Sequence, residues 1–157
     1  MATEIERKFL ILNQDWQEHV GAEVHIAQGY LASNEFSSTR IRIQDDKANI
    51  NIKSATLGIS RTEFEYVIPV DDAQQMINDL CVKPVIEKTR YFVRHNKHTW
   101  EIDVFSGDNE GLIVAEIELS STDEAFETPS WIGEEVSNDA RYYNVCLVKN
   151  PYKTWSK

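Results

Sequence analysis

The stretch EIERK at positions 4–8 decides how we interpret the fold of this chain. In a β-strand, alternate side chains point to the same face and lie roughly 7 Å apart. Glu4, Glu6 and Lys8 therefore share one face, whereas Ile5 lies on the opposite face. This alternation predicts a strand that has one ionic face and one apolar face.

Same-sign charges two residues apart recur along the chain. Besides Glu4 and Glu6, the doublets are Arg40 and Arg42, Glu63 and Glu65, Lys88 and Arg90, Glu101 and Asp103, and Glu116 and Glu118. A single charged strand face is usually a solvated face. Where solvent is restricted, however, like charges ~7 Å apart repel by about 2.4 kcal/mol at an effective dielectric of about 20, against roughly 0.6 kcal/mol in water. The number of doublets in so small a chain therefore predicts bound counter-charges.

The same alternation defines the elements of the fold. It predicts eight strands, at about 4–11, 23–31, 37–45, 47–54, 61–69, 84–95, 98–105 and 112–120. Helical spacing predicts helices at 13–20, 71–82 and 138–148, and Asn13 is placed to cap the first. Short turn-like joins between the strands favour antiparallel hairpins.

The eight strands must pair with each other or have their edges covered. The predicted fold class is therefore mainly β (α+β), a closed eight-stranded antiparallel β-barrel with helices packed on the outside. A barrel of eight strands is just wide enough to enclose one small ligand. If the charged face lines its interior, the acidic doublets can bind divalent metal and the basic doublets can bind phosphate.

Composition limits the classes of function. The 157 residues are expected to form one domain, 1–157, and the net charge of −10 argues against a basic nucleic-acid surface. No apolar run approaches the ~20 residues that a membrane helix requires. The charged N-terminus lacks the pattern of a secretory signal, so a cytoplasmic protein is expected.

Other chemistries have weaker support. Cys81 and Cys146 are too few and too far apart for a disulfide framework, so buried thiols are expected. His95 and His98 have a metal-like spacing but lie in a predicted hairpin turn, which argues against a zinc site. No glycine precedes a lysine, so there is no P-loop. Any phosphate must therefore be bound by side chains.

The charged strands together resemble the CYTH superfamily, the triphosphate tunnel metalloenzymes. The N-terminal residues 4–8 match its ExExK pattern. The resemblance continues, in the family's order, through Arg40-Ile41-Arg42, Ile52-Lys53-Ser54, Arg61-Thr62-Glu63-Phe64-Glu65, Glu87-Lys88-Thr89-Arg90-Tyr91, Glu101-Ile102-Asp103-Val104-Phe105, Ala115-Glu116-Ile117-Glu118, Gly133-Glu134-Glu135-Val136 and Asp139-Ala140-Arg141-Tyr142. It implies an eight-stranded tunnel that binds a triphosphate through basic residues and divalent metal through acidic ones.

The resemblance also implies roles for individual residues. The implied metal ligands are Glu4, Glu6, Glu116 and Glu118, with Asp103 as a further ligand to the same ion or to a second one. Oxygen ligands of this kind favour Mg²⁺ or Mn²⁺ over zinc. The implied phosphate-binding residues are Lys8, Arg40, Arg42, Lys53, Lys88 and Arg90.

The catalytic set implied by the resemblance is Lys8, Tyr30, Glu63 and Glu65. In this set, the two glutamates position a second metal or a water, and Tyr30 either orients water or phosphate or is a core aromatic. Arg61 and Arg141 are left as either phosphate ligands or structural ion pairs.

The implied activity is metal-dependent hydrolysis of a triphosphate, foremost inorganic tripolyphosphate to pyrophosphate and phosphate. Three alternatives stay open: an adenylate cyclase of class IV type, a thiamine-triphosphatase, and a polyphosphate-binding module without turnover. The expected partner is a small-molecule triphosphate, such as tripolyphosphate or a nucleoside or thiamine triphosphate. No nucleic acid and no membrane are expected, and a homodimer is left open.

Overall fold

In the computed structural model, which describes residues 3–155, the chain is built almost entirely of antiparallel strands. The strands are β1 (Thr3–Ile11), β2 (Val20–Ser33), β3 (Ser37–Gln44), β4 (Lys47–Ser54), β5 (Ser60–Ile68), β6 (Val82–His95), β7 (His98–Phe105), β8 (Ile113–Glu118) and β9 (Ile132–Glu135). The α-helices are α1 (Val70–Asp79) and α2 (Asn144–Lys149). Short 3₁₀ turns lie at Asp15–His19, Gly107–Asn109, Ala140–Tyr142 and Tyr152–Thr154.

The sheet closes on itself. Its strand order is β5-β4-β3-β2-β6-β7-β8-β1, and the first residues of β1 pair back to β5. One edge of β1 pairs with β8, and the other edge pairs first with β5 and then with β9. The predicted closed eight-stranded barrel is thereby confirmed, and β9 is an additional strand. Its four residues are too few to show an alternation in the sequence.

Two of the predicted helices differ from the structure. The segment predicted as a helix at 13–20 is only a five-residue 3₁₀ turn, because Val20 already begins β2. Asn13 does accept a hydrogen bond, of 2.9 Å, from the backbone N–H of Asp15. The helix predicted at 138–148 is interrupted after Tyr142, and α2 begins only at Asn144.

The outer face of the barrel carries two apolar clusters. In one, Trp100 and Ile117 are completely buried beneath Trp16 and Trp131, which come from the segments that follow β1 and β8. In the other, α1 packs Ala73 and Ile77 against β3 and β4. Burying each large apolar side chain contributes about 1.5–3 kcal/mol, so these clusters stabilise the barrel from its outer face. The opposite face of the strands is then not needed for an apolar core and can carry charge.

A third apolar cluster lies at one end of the barrel interior. Leu147 of α2 packs against Ile86, Phe105 and Val114. These three residues lie two positions from Lys88, Asp103 and Glu116 on their strands and share their face, so α2 covers the interior at this end. Of the two α-helices within residues 3–155, α1 packs on the outside as predicted, whereas α2 covers one end of the interior. No helix within residues 3–155 combines the length and apolar content needed to cross a membrane.

Candidate active site

The ionic face of the strands encloses a cavity of about 230 Å³. Its acidic lining residues are Glu4, Glu6, Glu63, Glu65, Glu101, Glu116 and Glu118. Its basic lining residues are Lys8, Arg40, Arg42, Lys53, Arg61, Lys88 and Arg90. The volume lies below the roughly 300–1,000 Å³ of pockets for drug-sized ligands, so the cavity suits a small charged ligand.

The register between strands sets which charges face each other. Lys8 of β1 lies opposite Glu116 of β8, and their side chains form an ion pair of 3.3 Å. Two residues away, Glu6 lies opposite Glu118, a second carboxylate. The same two strands therefore hold one compensated pair and one pair of like charges.

Arg90 is surrounded by carboxylates. Its guanidinium donates to both oxygens of Asp103 at 2.7 and 2.9 Å and to Glu116 at 3.0 Å. Glu101 lies 3.4 Å away. Burial would lower the pKa of Arg90, but the attraction of Asp103 and its neighbours outweighs burial and raises that pKa. This cation is firmly held by the protein.

Asp103 is the only residue of the predicted metal and phosphate sets that does not line the cavity. Its carboxylate is 1 % exposed, and it binds Lys88 Nζ at 2.7 Å in addition to Arg90. Both oxygens are thus occupied by cations, and the geometry gives no support to its role as a metal ligand. Its contacts are those of a residue that positions Lys88 and Arg90.

Lys53 links two acidic residues across the barrel closure. Its Nζ lies 2.9 Å from Glu4 and 3.7 Å from Glu63. Burial opposes ionisation of Glu4, yet the attraction of Lys53 prevails and lowers the pKa of Glu4. Burial, together with the charge of Glu4, raises the pKa of Glu63.

Three cavity carboxylates, Glu6, Glu65 and Glu118, form no ion pair with any residue that the structure describes. At Glu6, burial, followed by repulsion from Glu116 and Glu4, raises the pKa of the carboxyl to about 8. The acidic side of the cavity therefore has more carboxyl groups than it has cations paired with them.

The arginines of the cavity have the opposite imbalance, because positive charge exceeds the carboxylates paired with it. Within residues 3–155, Arg40, Arg42 and Arg61 have no carboxylate partner. Arg42 donates only to the neutral side-chain oxygen of Gln28, at 2.8 and 3.0 Å. Burial, then Arg40 and Arg90, lower the pKa of Arg42, although a guanidinium is basic enough to stay charged.

Arg40 is the clearest unfilled donor. It is buried, and its Nε has no hydrogen-bond partner within residues 3–155. The side-chain oxygen of Asn51, which lies opposite Arg40 in the register, is likewise unpaired. Leaving such a buried group unsatisfied costs about 1–3 kcal/mol. This part of the cavity is therefore suited to a bound anion or to water.

Of the remaining predicted residues, some line the cavity and one does not. Tyr30 lies opposite Arg40 in the register and lines the cavity, as do Glu63 and Glu65. Of the two undecided arginines, Arg61 lines the cavity and stacks over the Tyr143 ring at 4.2 Å. Arg141 is not a lining residue, and it binds its neighbour Asp139 instead.

Sequence reasoning missed several lining residues. They are Ser38, Asn51, Glu101, Tyr143, Asn144 and Val145. The first three could have been found, because each lies two residues from a predicted site residue on the same strand. The other three precede or begin α2, and no periodicity in the sequence indicates that this segment enters the barrel.

The donor set of the acidic side fits a divalent cation. Within residues 3–155, no three acidic, histidine or cysteine side chains converge closely enough to form a finished metal site. The chemistry nevertheless agrees, since these residues offer only oxygen ligands, and Glu6 and Glu118 form no ion pair with a residue of the described part of the chain. Glu4 and Glu116 would have to turn away from Lys53 and Lys8 to join them.

Comparisons with known proteins agree with this geometry. The chain is 45% identical over 157 residues to an inorganic triphosphatase of Acetivibrio thermocellus, covering 100% of both chains. It is 38% identical over 150 residues to an inorganic triphosphatase of Nitrosomonas europaea, covering 92% of this chain and 96% of that one.

Solved structures show the same architecture. One described as an inorganic triphosphatase aligns with a TM-score of 0.65 and 34% identity, over 94% of this chain and 95% of that chain. A protein of Pyrococcus horikoshii shares the fold at a TM-score of 0.60 and 17% identity, over 76% and 80% of the two chains. The model of the CYTH domain matches residues 2–147. The chain therefore belongs to the CYTH domain family.

Proposed function

We propose that this protein is a divalent-metal-dependent triphosphatase that hydrolyses inorganic tripolyphosphate to pyrophosphate and phosphate. One observation carries the proposal: among the residues that the structure describes, a single cavity holds arginines without carboxylate partners beside carboxylates without cation partners. A polyanion and a metal cation together satisfy both. Two inorganic triphosphatases that are 45% and 38% identical support the same activity.

The phosphate chain binds first to the free arginines. Arg40 and Arg42 are neighbours on one face of β3, and each can donate two parallel hydrogen bonds to phosphate oxygens. Arg61 of β5 lines the same cavity. Lysines are point charges rather than forks, so Lys8, Lys53 and Lys88 neutralise charge along the chain. Arg90, held by Asp103, completes the set.

A divalent cation would be held by Glu4 and Glu6 of β1 with Glu116 and Glu118 of β8, all of which line the cavity. Mg²⁺ and Mn²⁺ are the ions that such oxygen ligands favour. When bound, a divalent cation neutralises phosphate charge and assists ionisation of a water.

Two ion pairs of the cavity would have to exchange partners. Lys8 pairs with Glu116, and Lys53 pairs with Glu4. Phosphate oxygens would take over the two lysines, and the two glutamates would then be available to a divalent cation. Each charge would keep a partner after the exchange.

Water attacks a terminal phosphorus of the bound chain, and the bond from that phosphorus to the bridging oxygen breaks. Glu63 and Glu65 lie on one face of β5 and accept hydrogen bonds from the attacking water. The raised pKa of Glu63 makes this residue a better proton acceptor than a typical carboxylate. Tyr30 and Lys8 orient the phosphate and stabilise the leaving pyrophosphate, whose charge the basic residues neutralise.

The activity is tested with purified protein, tripolyphosphate and Mg²⁺ or Mn²⁺, by separating phosphate and pyrophosphate. We expect equal amounts of the two products and no turnover after EDTA treatment. ATP is offered in parallel, and cyclic AMP is assayed. The proposal would be overturned if the protein bound tripolyphosphate but hydrolysed it with neither Mg²⁺ nor Mn²⁺. It would also be overturned if cyclic AMP were the main product from ATP.

A further inference from the structure

Two of the cations that line the cavity, Lys88 and Arg42, are joined through uncharged side chains. Lys88 Nζ donates to Asn144 Oδ1 at 2.8 Å. Gln28 Nε2 donates to the same Asn144 oxygen at 3.0 Å. The other end of the Gln28 amide, Oε1, accepts from Nε and Nη2 of Arg42. A continuous chain of hydrogen bonds thus runs from β6 through α2 and β2 to β3.

The orientation of both amides in this chain is fixed by chemistry. A lysine ammonium and an arginine guanidinium can only donate, so each must face an amide oxygen. Asn144 therefore turns Oδ1 toward Lys88, and Gln28 turns Oε1 toward Arg42. This leaves the Gln28 amide nitrogen to donate to Asn144, as observed. No alternative flip of either amide satisfies both cations.

The amides hold the cations without neutralising them. Lys88 is 1 % exposed, and burial, only partly offset by Asp103, lowers the pKa of Lys88 to about 7. A carboxylate in the place of Asn144 would make an equally short contact but would add a negative charge beside the phosphate-binding side chains. Neutral acceptors preserve the positive potential that attracts the substrate.

We infer that Asn144 and Gln28 are positioning residues that hold Lys88 and Arg42 by neutral hydrogen bonds, so that no negative charge beyond that of Asp103 is placed beside these two cations. The inference rests on the proposed function. Asn144 is the first residue of α2, the helix that covers one end of the barrel interior. The C-terminal segment therefore takes part in substrate binding as well as in closing the barrel.

The test compares two substitutions at one position. Asn144→Asp keeps an oxygen acceptor of the same shape but adds a charge, whereas Asn144→Ala removes the acceptor. With Mg²⁺ and tripolyphosphate, we expect Asn144→Asp to raise KM at least about 10-fold with a smaller change in kcat. Asn144→Ala should lower kcat about 10-fold or more, because Lys88 keeps its contact with Asp103 but loses the second contact that fixes its direction. One hydrogen bond to a charged group is worth about 1.5–3 kcal/mol, which corresponds to this range.

The matched control is Asn150→Asp, which adds the same charge at the other end of α2, where the side chain is exposed. It should leave KM and kcat unchanged. Gln28→Glu should reproduce the KM increase of Asn144→Asp through Arg42. Thermal melting of each variant reports whether it is folded, and calorimetric binding of tripolyphosphate without metal measures the affinity directly.

A purely structural role predicts a different pattern. Asn144→Asp and Asn144→Ala would then melt at lower temperature but show the same KM and kcat as the wild type, and this would overturn the inference. Equal losses of kcat in both, with KM unchanged, would also overturn it. If the wild type releases no phosphate, the proposed function fails, whereas weaker tripolyphosphate binding by Asn144→Asp than by Asn150→Asp still supports the inference.

Discussion

Two walls of the cavity each consist of same-sign charges at alternate positions of a strand. The protein compensates the charges of one wall more than those of the other. The acidic wall consists of Glu4 and Glu6 on β1 with Glu116 and Glu118 on β8, and the arginine wall consists of Arg40 and Arg42 on β3. Lys8, Lys53 and Arg90 compensate part of the acidic wall. The arginine wall forms no ion pair with a carboxylate within residues 3–155, and Arg42 donates to the neutral side chain of Gln28.

The difference shows where ligands must supply charge. Each same-sign doublet costs about 2.4 kcal/mol at ~7 Å and an effective dielectric of about 20. The protein offsets this cost at Glu4 and Glu116, which are paired, and leaves it at Glu6, Arg40 and Arg42. The uncompensated positions therefore reduce stability in the absence of ligand, which is the pattern expected when activity and stability conflict at a functional site.

The largest effect is expected at Glu6. Glu6→Gln removes a carboxyl group whose ionisation is disfavoured in the folded protein and not in the unfolded chain, so the melting temperature near neutral pH should rise by a few degrees. The same change removes a metal ligand and should lower metal-dependent phosphate release by at least about 100-fold, since even outer-shell partners of a metal are worth about 10–100-fold. Activity assays and thermal melting measure the two effects.

Glu134→Gln, at an exposed acidic residue of β9, is the matched control and should change neither quantity. A Glu6→Gln variant that keeps wild-type turnover would remove Glu6 from the metal set. A variant that melts below the wild type would contradict the view that the acidic wall carries excess charge.

The arginine wall is tested by keeping its charge and changing its shape. Arg42→Lys preserves one positive charge but loses the fork that can bind two phosphate oxygens and Gln28 together. We expect kcat/KM for tripolyphosphate to fall about 10-fold, the equivalent of one hydrogen bond to a charged group. Steady-state kinetics measure the change, and Arg141→Lys, outside the cavity, serves as the control.

The pH dependence of stability separates the walls in the metal-free protein. The pKa of Glu6 is raised to about 8 by burial and by its carboxylate neighbours, from 4.5 in the unfolded chain. Between these values the folded protein binds more protons than the unfolded chain, so this group makes stability fall as pH rises from about 4.5 to 8. The melting temperature of the wild type, minus that of Glu6→Gln, should therefore decrease over this range.

Mg²⁺ should reverse this decrease, because a cation that binds the ionised carboxylates of the folded state adds stability and displaces the proton. Thermal melting from pH 5 to pH 8, with Mg²⁺ or with EDTA, measures both curves. A difference between wild type and Glu6→Gln that stays constant with pH would show that Glu6 is ionised throughout.

The sequence was sufficient to predict most charged residues that line the cavity, because side chains on a strand alternate between two faces. Once Glu4, Glu6 and Lys8 share a face, every doublet on the remaining strands must share one as well, and closure of the sheet turns that face inward. The alternation therefore predicted the barrel and most of its charged interior. The predicted roles of these residues remain predictions until they are tested.

The pairing of charges could not be predicted in this way. Whether Asp103 faces the cavity or is withdrawn onto Lys88 and Arg90 depends on register between distant strands, which no local pattern encodes. The same holds for Asn144, because the segment before it forms a 3₁₀ turn and α2 has only six residues. Too few turns exist for a helical period to reveal which face enters the barrel.

The smallest effect is expected on the outside of β1. Arg7 projects from the face opposite Glu6 and Lys8 and pairs with Glu135 of β9 at 2.5 Å, with side chains 30% and 32% exposed. An ion pair in contact with solvent contributes only about 0–1 kcal/mol. Glu135→Gln should therefore lower the free energy of unfolding, measured in urea, by less than about 1 kcal/mol. Its kcat/KM should equal that of the wild type. If Glu135→Gln lowered turnover as much as Glu6→Gln does, charges outside the barrel would matter as much as charges inside it. The two walls of the cavity would then have no special role in turnover.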